Sequence, residues 1–272
     1  MKIRVISAVI LLPLVVAAIW AGNWPFALLV AIAAFLACIE YVQMLRRKGH
    51  MLSLPLILAM TGLWLADVLW GEGRWLAPGI AVLVFLSSAW VLYRRSRNPT
   101  EENLIAQWAM TVAGGMYLGL GAAYLLRLRA LPDGLWWTLT ALPVVWVGDS
   151  AAYIFGRKWG RHKMAPTISP GKSWEGYASG VAGGMLIGLF LGWLWPTLAG
   201  HPLSLNLWKG LFLGGVLSTI TTTGDFFVSL IKREVEVKDT GKLIPGHGGV
   251  FDRIDSLLWT GFITWVIASL LG

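Results

Sequence analysis

Charged side chains are what this sequence has least of. They make up 13% of its 272 residues, against roughly a quarter in soluble domains, and the shortfall excludes an ordinary water-soluble fold. Cysteine is scarcer still. Cys38 is the single one and lies inside an apolar run, which excludes a disulfide framework and a thiolate metal site. No polar stretch long enough for a soluble domain remains once the apolar runs are set aside. No internal repeat or low-complexity segment is evident either, which argues against an inverted-repeat transporter. The opening stretch (Lys2, Arg4, then Val5–Trp20) has the outline of a signal peptide but no small-residue cleavage site followed by a polar mature domain, so it reads as a retained first helix.

What remains is apolar. Hydrophobic residues are 57% of the chain, and runs of about 20 such residues recur along it, the length that crosses a bilayer as a helix. They predict an all-α, polytopic integral membrane protein with about nine transmembrane helices, near 4–21, 24–45, 52–70, 75–93, 103–126, 135–156, 177–198, 207–230 and 256–271. The expected organisation is one membrane-embedded catalytic domain over 1–272, with polar loops at about 157–176 and 231–255. Gly22-Asn23-Trp24-Pro25 predicts a tight hairpin. Asn98-Pro99-Thr100-Glu101 predicts the N-cap, first-turn proline and early acid of the fifth helix. Gly180, Gly184, Gly188 and Gly192, at four-residue spacing, form a smooth ridge for close helix packing. That packing is either within the subunit or between subunits, which leaves a homodimer open. Trp20, Trp24, Trp70, Trp75, Trp90, Trp136, Trp137, Trp195 and Trp208 fall at span ends, as aromatic belts do.

The net charge of +8 does not indicate a nucleic-acid partner, because the cations sit in short clusters between apolar runs. That pattern sets topology. With the N-terminus cytoplasmic, all but Arg74, Arg127, Arg129 and Lys209 of the 22 lysines and arginines fall inside. The expected orientation is therefore N-terminus in, with both long polar loops on the cytoplasmic side.

The densest polar stretch runs from Asp225 to Asp255. It holds six of the fourteen acids (Asp225, Glu234, Glu236, Asp239, Asp252, Asp255) beside Lys232, Arg233, Lys238, Lys242 and Arg253. An ionisable group at membrane depth costs a few kcal/mol unless it is paired or bound to a cation. Asp225 near the end of the eighth span and Asp252 where the loop returns can converge, as hard oxygens do around Mg²⁺. The plain alternative for Asp225 is a salt bridge to Lys232 or Arg233. Asp255 and Ser256 also read as candidate caps of the ninth helix, Ser256 the more so. Between the aspartates, Pro245-Gly246-His247-Gly248-Gly249 frees backbone amides to face an anion. Metal, cations and a glycine turn together suit phosphate ester chemistry, in which they neutralise charge on the transferring phosphorus.

A second constellation lies upstream. Asp149, Tyr153 and Arg157 share one helix face, and Ile168–Gly176 follows. Its Gly171-Lys172-Ser173 resembles the tail of a P-loop, but the position that needs glycine is Pro166. Lys172 and Ser173 still precede a helix N-terminus, which favours anions. Glu40 and Asp67 are further intramembrane acids, expected to be structurally paired or exposed at the interface.

From the residues alone, the reading is a membrane enzyme acting on a phosphorylated lipid at the cytoplasmic face. Its rivals are a cation transporter, a polyprenol kinase and a cytidylyltransferase for ether-linked lipids. The segment Ser229-x-Ile231-Lys232-Arg233, then Lys238-Asp239-x-Gly241, Ile244-Pro245-x-His247-Gly248-Gly249-Val250-x-Asp252-Arg253-Ile254-Asp255 resembles the signature of the phosphatidate cytidylyltransferases, or CDP-diacylglycerol synthases, over 27 residues. Asp149–Arg157 and Ile168–Gly176 look like upstream blocks of the same family. The resemblance implies that CTP and phosphatidic acid give CDP-diacylglycerol and pyrophosphate at the bilayer, in the cell's inner (cytoplasmic) membrane, with Mg²⁺ required and a second cation compatible. It implies a metal centre at Asp225 and Asp252, with Asp149 and Asp255 in support. Lys232, Arg233, Lys238 and Arg253 would clamp phosphates, with Asp239 alongside. Lys172 and Ser173 would bind the triphosphate, with Arg157, Gly248 and Gly249. His247 would orient a phosphate.

Overall fold

The computed structural model describes residues 2–244, 246 and 248–272. Their helices are α1 (Lys2–Ala21), α2 (Asn23–Arg46), α3 (Leu54–Ala66, continued by a π-turn over Asp67–Gly71), α4 (Leu76–Arg97), α5 (Leu104–Ala130), α6 (Gly134–Trp159), α7 (Trp174–Ala199), α8 (Leu207–Glu234) and α9 (Phe251–Leu271). Eight of them, α2 to α9, are long and apolar enough to cross a membrane, and α1 contributes the apolar stretch Leu11–Ala21. The chain is an all-α, multi-pass membrane protein. Among the described residues the strands form one short antiparallel ribbon inside the first polar loop, β1 (Lys163–Ala165) and β2 (Ser169–Ser173), with Lys163 opposite Ser173.

The three apolar cores all draw on α5. Ala37, Tyr41 and Met44 of α2 pack with Leu118 of α5, Val228 of α8 and Phe251 and Leu258 of α9. Trp137 and Val144 of α6 meet Leu213 and Leu217 of α8 and Ile263 of α9. Ile19 of α1 and Phe26 and Val30 of α2 meet Leu126 of α5 and Leu139 of α6. Helix α4 stands outside these cores. Ser87 is its one buried residue among those described, and Val82, Phe85, Leu86 and Leu92 are exposed, a surface suited to lipid.

The glycine ridge is used within the chain. Gly180 of α7 faces Gly148 of α6, and an added Cβ would stand 3.0 Å from the Gly148 carbonyl oxygen. Lower on α7, Gly188 and Gly192 meet the backbone of Gly210 and Asn206, the latter oxygen 2.5 Å from where a Gly192 Cβ would be. Small residues let α7 lie backbone to backbone between α6 and α8, the arrangement that makes membrane helices adhere without a hydrophobic driving force. This fixes α6 and α8 side by side, and both carry site residues.

Three local expectations are corrected. Helix α5 begins at Leu104, not near Asn98; Asn98 instead closes α4, its N–H bonded to the Arg94 carbonyl at 2.9 Å. The reason is that Glu101 pairs with Arg94 while its carbonyl accepts from Arg95 at 2.7 Å, which folds the segment back on the end of α4. Helix α9 begins at Phe251, so Asp255 and Ser256 lie inside it and Ser256 is no cap. Among the belt tryptophans, Trp137 is fully buried and donates to Ser204 at 3.0 Å, whereas Trp20, Trp24, Trp70, Trp75, Trp90 and Trp208 are exposed. The turn at Gly22 is as expected: α1 ends at Ala21, α2 starts at Asn23, and Gly22 has φ 63°, a conformation glycine takes at no steric cost.

Candidate active site

The two polar loops meet at one end of the bundle. Arg233, at the end of α8, donates from Nε to the Ile168 carbonyl in the ribbon turn at 3.1 Å. Lys172 on β2 reaches Asp225 of α8, Nζ to Oδ2 2.5 Å, and its ammonium also stands 4.4 Å over the Phe226 ring. The partner of Asp225 is thus neither Lys232 nor Arg233 but a lysine from the other loop. Ser173, next to Lys172, is buried and caps α7, accepting the Gly176 N–H at 3.2 Å. Its side chain packs beside Gly156 and Gly160, which locks the ribbon against α6 and orients Lys172.

Behind this strap lies a cavity of about 720 Å³. Helix α6 lines it with Asp149, Tyr153 and Arg157, the polar stripe expected from helical spacing, and Arg157 donates to the Tyr153 hydroxyl at 3.3 Å. From the ribbon come Lys163 and Lys172, from α8 Asp225 and Lys232, from the following loop Asp239, and from α9 Asp252, Arg253 and Asp255. Asp149 lies within electrostatic range of Asp225, Lys172 and Arg253. Asp255 lies within range of Asp225, Asp149 and Lys232. Acids and cations therefore share one volume, where Lys172 pairs with Asp225 and Lys232 with Asp252 at a depth where an isolated charge would be costly.

Asp252 is the most firmly held member. Lys232 Nζ donates to its Oδ1 at 2.6 Å, while its Oδ2 accepts from the Thr240 N–H at 2.8 Å, the Thr240 hydroxyl at 3.0 Å and the Gly249 N–H at 3.1 Å. Gly248, at φ 85°, has no room for a side chain beside Asp252, since its Cβ would stand 3.0 Å from Oδ2. The glycine turn thus wraps a carboxylate of the protein. The Gly249 amide is turned to Asp252 and not into the cavity.

Of the residues singled out in the sequence, Asp149, Arg157, Lys172, Ser173, Asp225, Lys232, Asp239, Asp252, Arg253 and Asp255 line the cavity. Arg233, Lys238, Gly248 and Gly249 are outside its lining, and His247 lies outside the described residues. Asp67 is buried and paired, 3.5 Å from Arg127, and accepts the Trp75 N–H at 2.9 Å. Away from the cavity, a Lys48 hydrogen bond at 2.5 Å holds the exposed Glu236 carboxyl below the usual glutamate range.

Sequence reasoning missed two residues. Glu40 on α2, expected to be structurally paired or exposed at the interface, is 2% exposed and bonds the start of α9. Thr240 joins it to Asp252. An acid inside an apolar helix was the available signal for Glu40; Thr240 had none.

The hard oxygens of this cavity suit Mg²⁺. Among the described residues, no three histidine, cysteine or acidic side chains already form a metal cage.

Fold and cavity together define a multi-pass membrane protein with a cavity lined by acids and cations at one end of its helices. The chain belongs to the cytidylyltransferase family, whose model matches residues 2–271. It is 33% identical to a phosphatidate cytidylyltransferase of Staphylococcus saprophyticus, over 95% of each chain. It is 30% identical to one from Synechocystis, over 98% of this chain and 96% of the relative. A third, from Mycobacterium bovis, is 29% identical over 89% of this chain and 80% of the relative.

Proposed function

We propose that this protein transfers the cytidylyl group of CTP to phosphatidic acid, giving CDP-diacylglycerol and pyrophosphate, at the cytoplasmic face of the cell's inner membrane. The observation that carries the reading is the pair of ion pairs on one cavity, Lys172–Asp225 at 2.5 Å and Lys232–Asp252 at 2.6 Å, in a chain alike over most of its length to phosphatidate cytidylyltransferases. Eighteen of the cations, those of both site loops included, fall on one side of the spans, which supports a cytoplasmic site.

The chemistry is an in-line substitution. An oxygen of the lipid phosphate forms a bond to the α-phosphorus of CTP, the bond from that phosphorus to the bridging oxygen of the β-phosphate breaks, and pyrophosphate leaves with the electron pair. Because the nucleophile is already ionised at neutral pH, no base is required. Asp225 and Asp252 would hold Mg²⁺, with Asp149 and Asp255 close by; when bound, the ion neutralises charge on the phosphates. Lys172 and Lys232 each have a carboxylate partner in the free protein and become phosphate donors when that carboxylate is otherwise satisfied. Arg157, Lys163 and Arg253 add positive charge to the wall that faces anionic substrate, where fixed cations stabilise charge that grows during transfer.

The test is pyrophosphate release by the purified protein. Release that requires CTP, phosphatidate and Mg²⁺ together, and collapses in Asp225→Asn and Asp252→Asn, supports the reading. Turnover with a polyprenol, or cation uptake into vesicles without turnover, overturns it.

A further inference from the structure

Glu40 has no place in the reaction as written, yet both of its carboxylate oxygens are hydrogen-bonded to the segment that opens α9. It sits in α2, almost wholly buried at 2% exposure, among Ala37, Tyr41 and Met44 of an apolar core. A carboxylate there is costly unless its oxygens are hydrogen-bonded. Oε1 accepts the Val250 N–H at 3.0 Å; Oε2 accepts the Phe251 N–H at 2.9 Å and the Thr240 hydroxyl at 3.0 Å. Gly241 and Gly249 lie against it with no room for a Cβ; one at Gly241 would be 2.6 Å from the Glu40 carboxyl carbon.

Two of those donors open α9. Its N-cap residue, Val250, has no side chain able to cap, and the first N–H groups of a helix need an outside acceptor. Glu40 supplies it from a helix 210 residues earlier in the chain, at the end of α9 where negative charge is favoured. Asp252 is the next residue after Phe251. Thr240 closes the link, since its hydroxyl lies 3.0 Å from both Glu40 Oε2 and Asp252 Oδ2 and has one proton to share between them.

We propose that Glu40 is a positioning residue for the active site, acting through Thr240 and the first turn of α9 to fix the Asp252 carboxylate toward the cavity. The inference rests on the reading of Asp252 as a metal-holding residue. Replacing Glu40 by glutamine keeps the shape but offers one acceptor where two stood and turns an N–H₂ toward backbone N–H groups, so the turn loosens and Asp252 with it. Supports of this kind typically cost about ten-fold or more in metal affinity or activity when removed.

The experiment compares wild type, Glu40→Gln and Asp67→Asn, the last a buried acid that also accepts a backbone N–H but far from the cavity. Three readouts are taken: kcat and KM for CTP, the Mg²⁺ concentration at half-maximal rate, and hydrogen exchange at residues 249–252 as Mg²⁺ is titrated. Glu40→Gln is expected to lower kcat by about ten-fold or more, raise half-saturating Mg²⁺ several-fold and speed exchange at Val250 and Phe251, with Asp67→Asn changing none of these. If Glu40→Gln melts earlier but keeps wild-type kcat, Mg²⁺ dependence and Mg²⁺-linked exchange, the residue is structural only and the proposal is overturned. Should Glu40→Gln not fold, Thr240→Val and Thr240→Ser decide: loss with valine and retention with serine supports the link, equal behaviour overturns it. A wild type inactive on CTP and phosphatidate would sink the proposed reaction. The exchange titration would still report whether Glu40 governs the Mg²⁺ response of the α9 start.

Discussion

Lys172, on the ribbon of the first polar loop, and Asp225, within α8, are ion-paired at 2.5 Å, with about a third or less of either side chain exposed. The pair joins the ribbon to α8 at the wall of the cavity, so the ammonium group is both a counter-charge and a strap.

Substituting Lys172 by methionine removes that charge while keeping a long apolar stem. We predict a fall in kcat of about 10²-fold or more, the scale on which losing a transition-state donor operates, measured by pyrophosphate release. Arginine at this position should rescue poorly, because a planar fork does not replace a compact ammonium. Wild-type turnover in Lys172→Met would remove Lys172 from the site.

Asp225→Asn and Asp252→Asn should both be inactive and differ in stability. Asp225 is a third exposed and has water to replace its partner. Asp252 is nearly buried against Lys232, and its neutralisation leaves a buried cation uncompensated, at a cost of about 3 kcal/mol or more. Thermal unfolding in detergent should therefore separate the variants. Equal melting temperatures would contradict the burial argument.

Chelation of divalent ions should stop turnover without unfolding the protein. The site carboxylates already have Lys172 and Lys232 as partners, so the fold does not wait for metal to balance them. Restored activity on adding Mg²⁺, with an unchanged melting curve throughout, is the expected pair of results. A large loss of stability on chelation would mean that the ion is structural.

Gly188→Val should destabilise the packing of α7 against α8, because its side chain would enter the Gly210 backbone and overpacking typically costs about 1–3 kcal/mol. Gly171→Ala, on the ribbon with open space around it, should be neutral for stability. Size-exclusion profiles and unfolding temperatures of the two variants test the contrast.

Much of this was written in local pattern. Apolar runs gave the helices to within a few residues, and Asp149, Tyr153 and Arg157 shared a face because helical spacing requires it. What spacing could not reveal was which charge meets which. Asp225 had Lys232 close in sequence yet pairs with Lys172, because the ribbon, held against α6 by Ser173, carries Lys172 to α8. Asp255 and Ser256 looked like caps because side chains that cap are usually neighbours of the helix they serve; here the cap of α9 comes from α2. The turn at Asn98 misled for a related reason, as the Arg94–Glu101 pair bends the chain where a capping motif alone would start a helix.

The bond between Glu40 and the start of α9 also has an order in time. Synthesis runs from the N-terminus, so α2 is made well before Thr240, Val250 and Phe251 exist. Until they are synthesised, Glu40 has none of the three donors that make its burial tolerable. A nascent chain that stops short of α9 therefore has an unsatisfied acid in its second span and no Asp252 for its cavity. Synthesis of α9 therefore completes both the membrane fit of α2 and the charge pattern of the site.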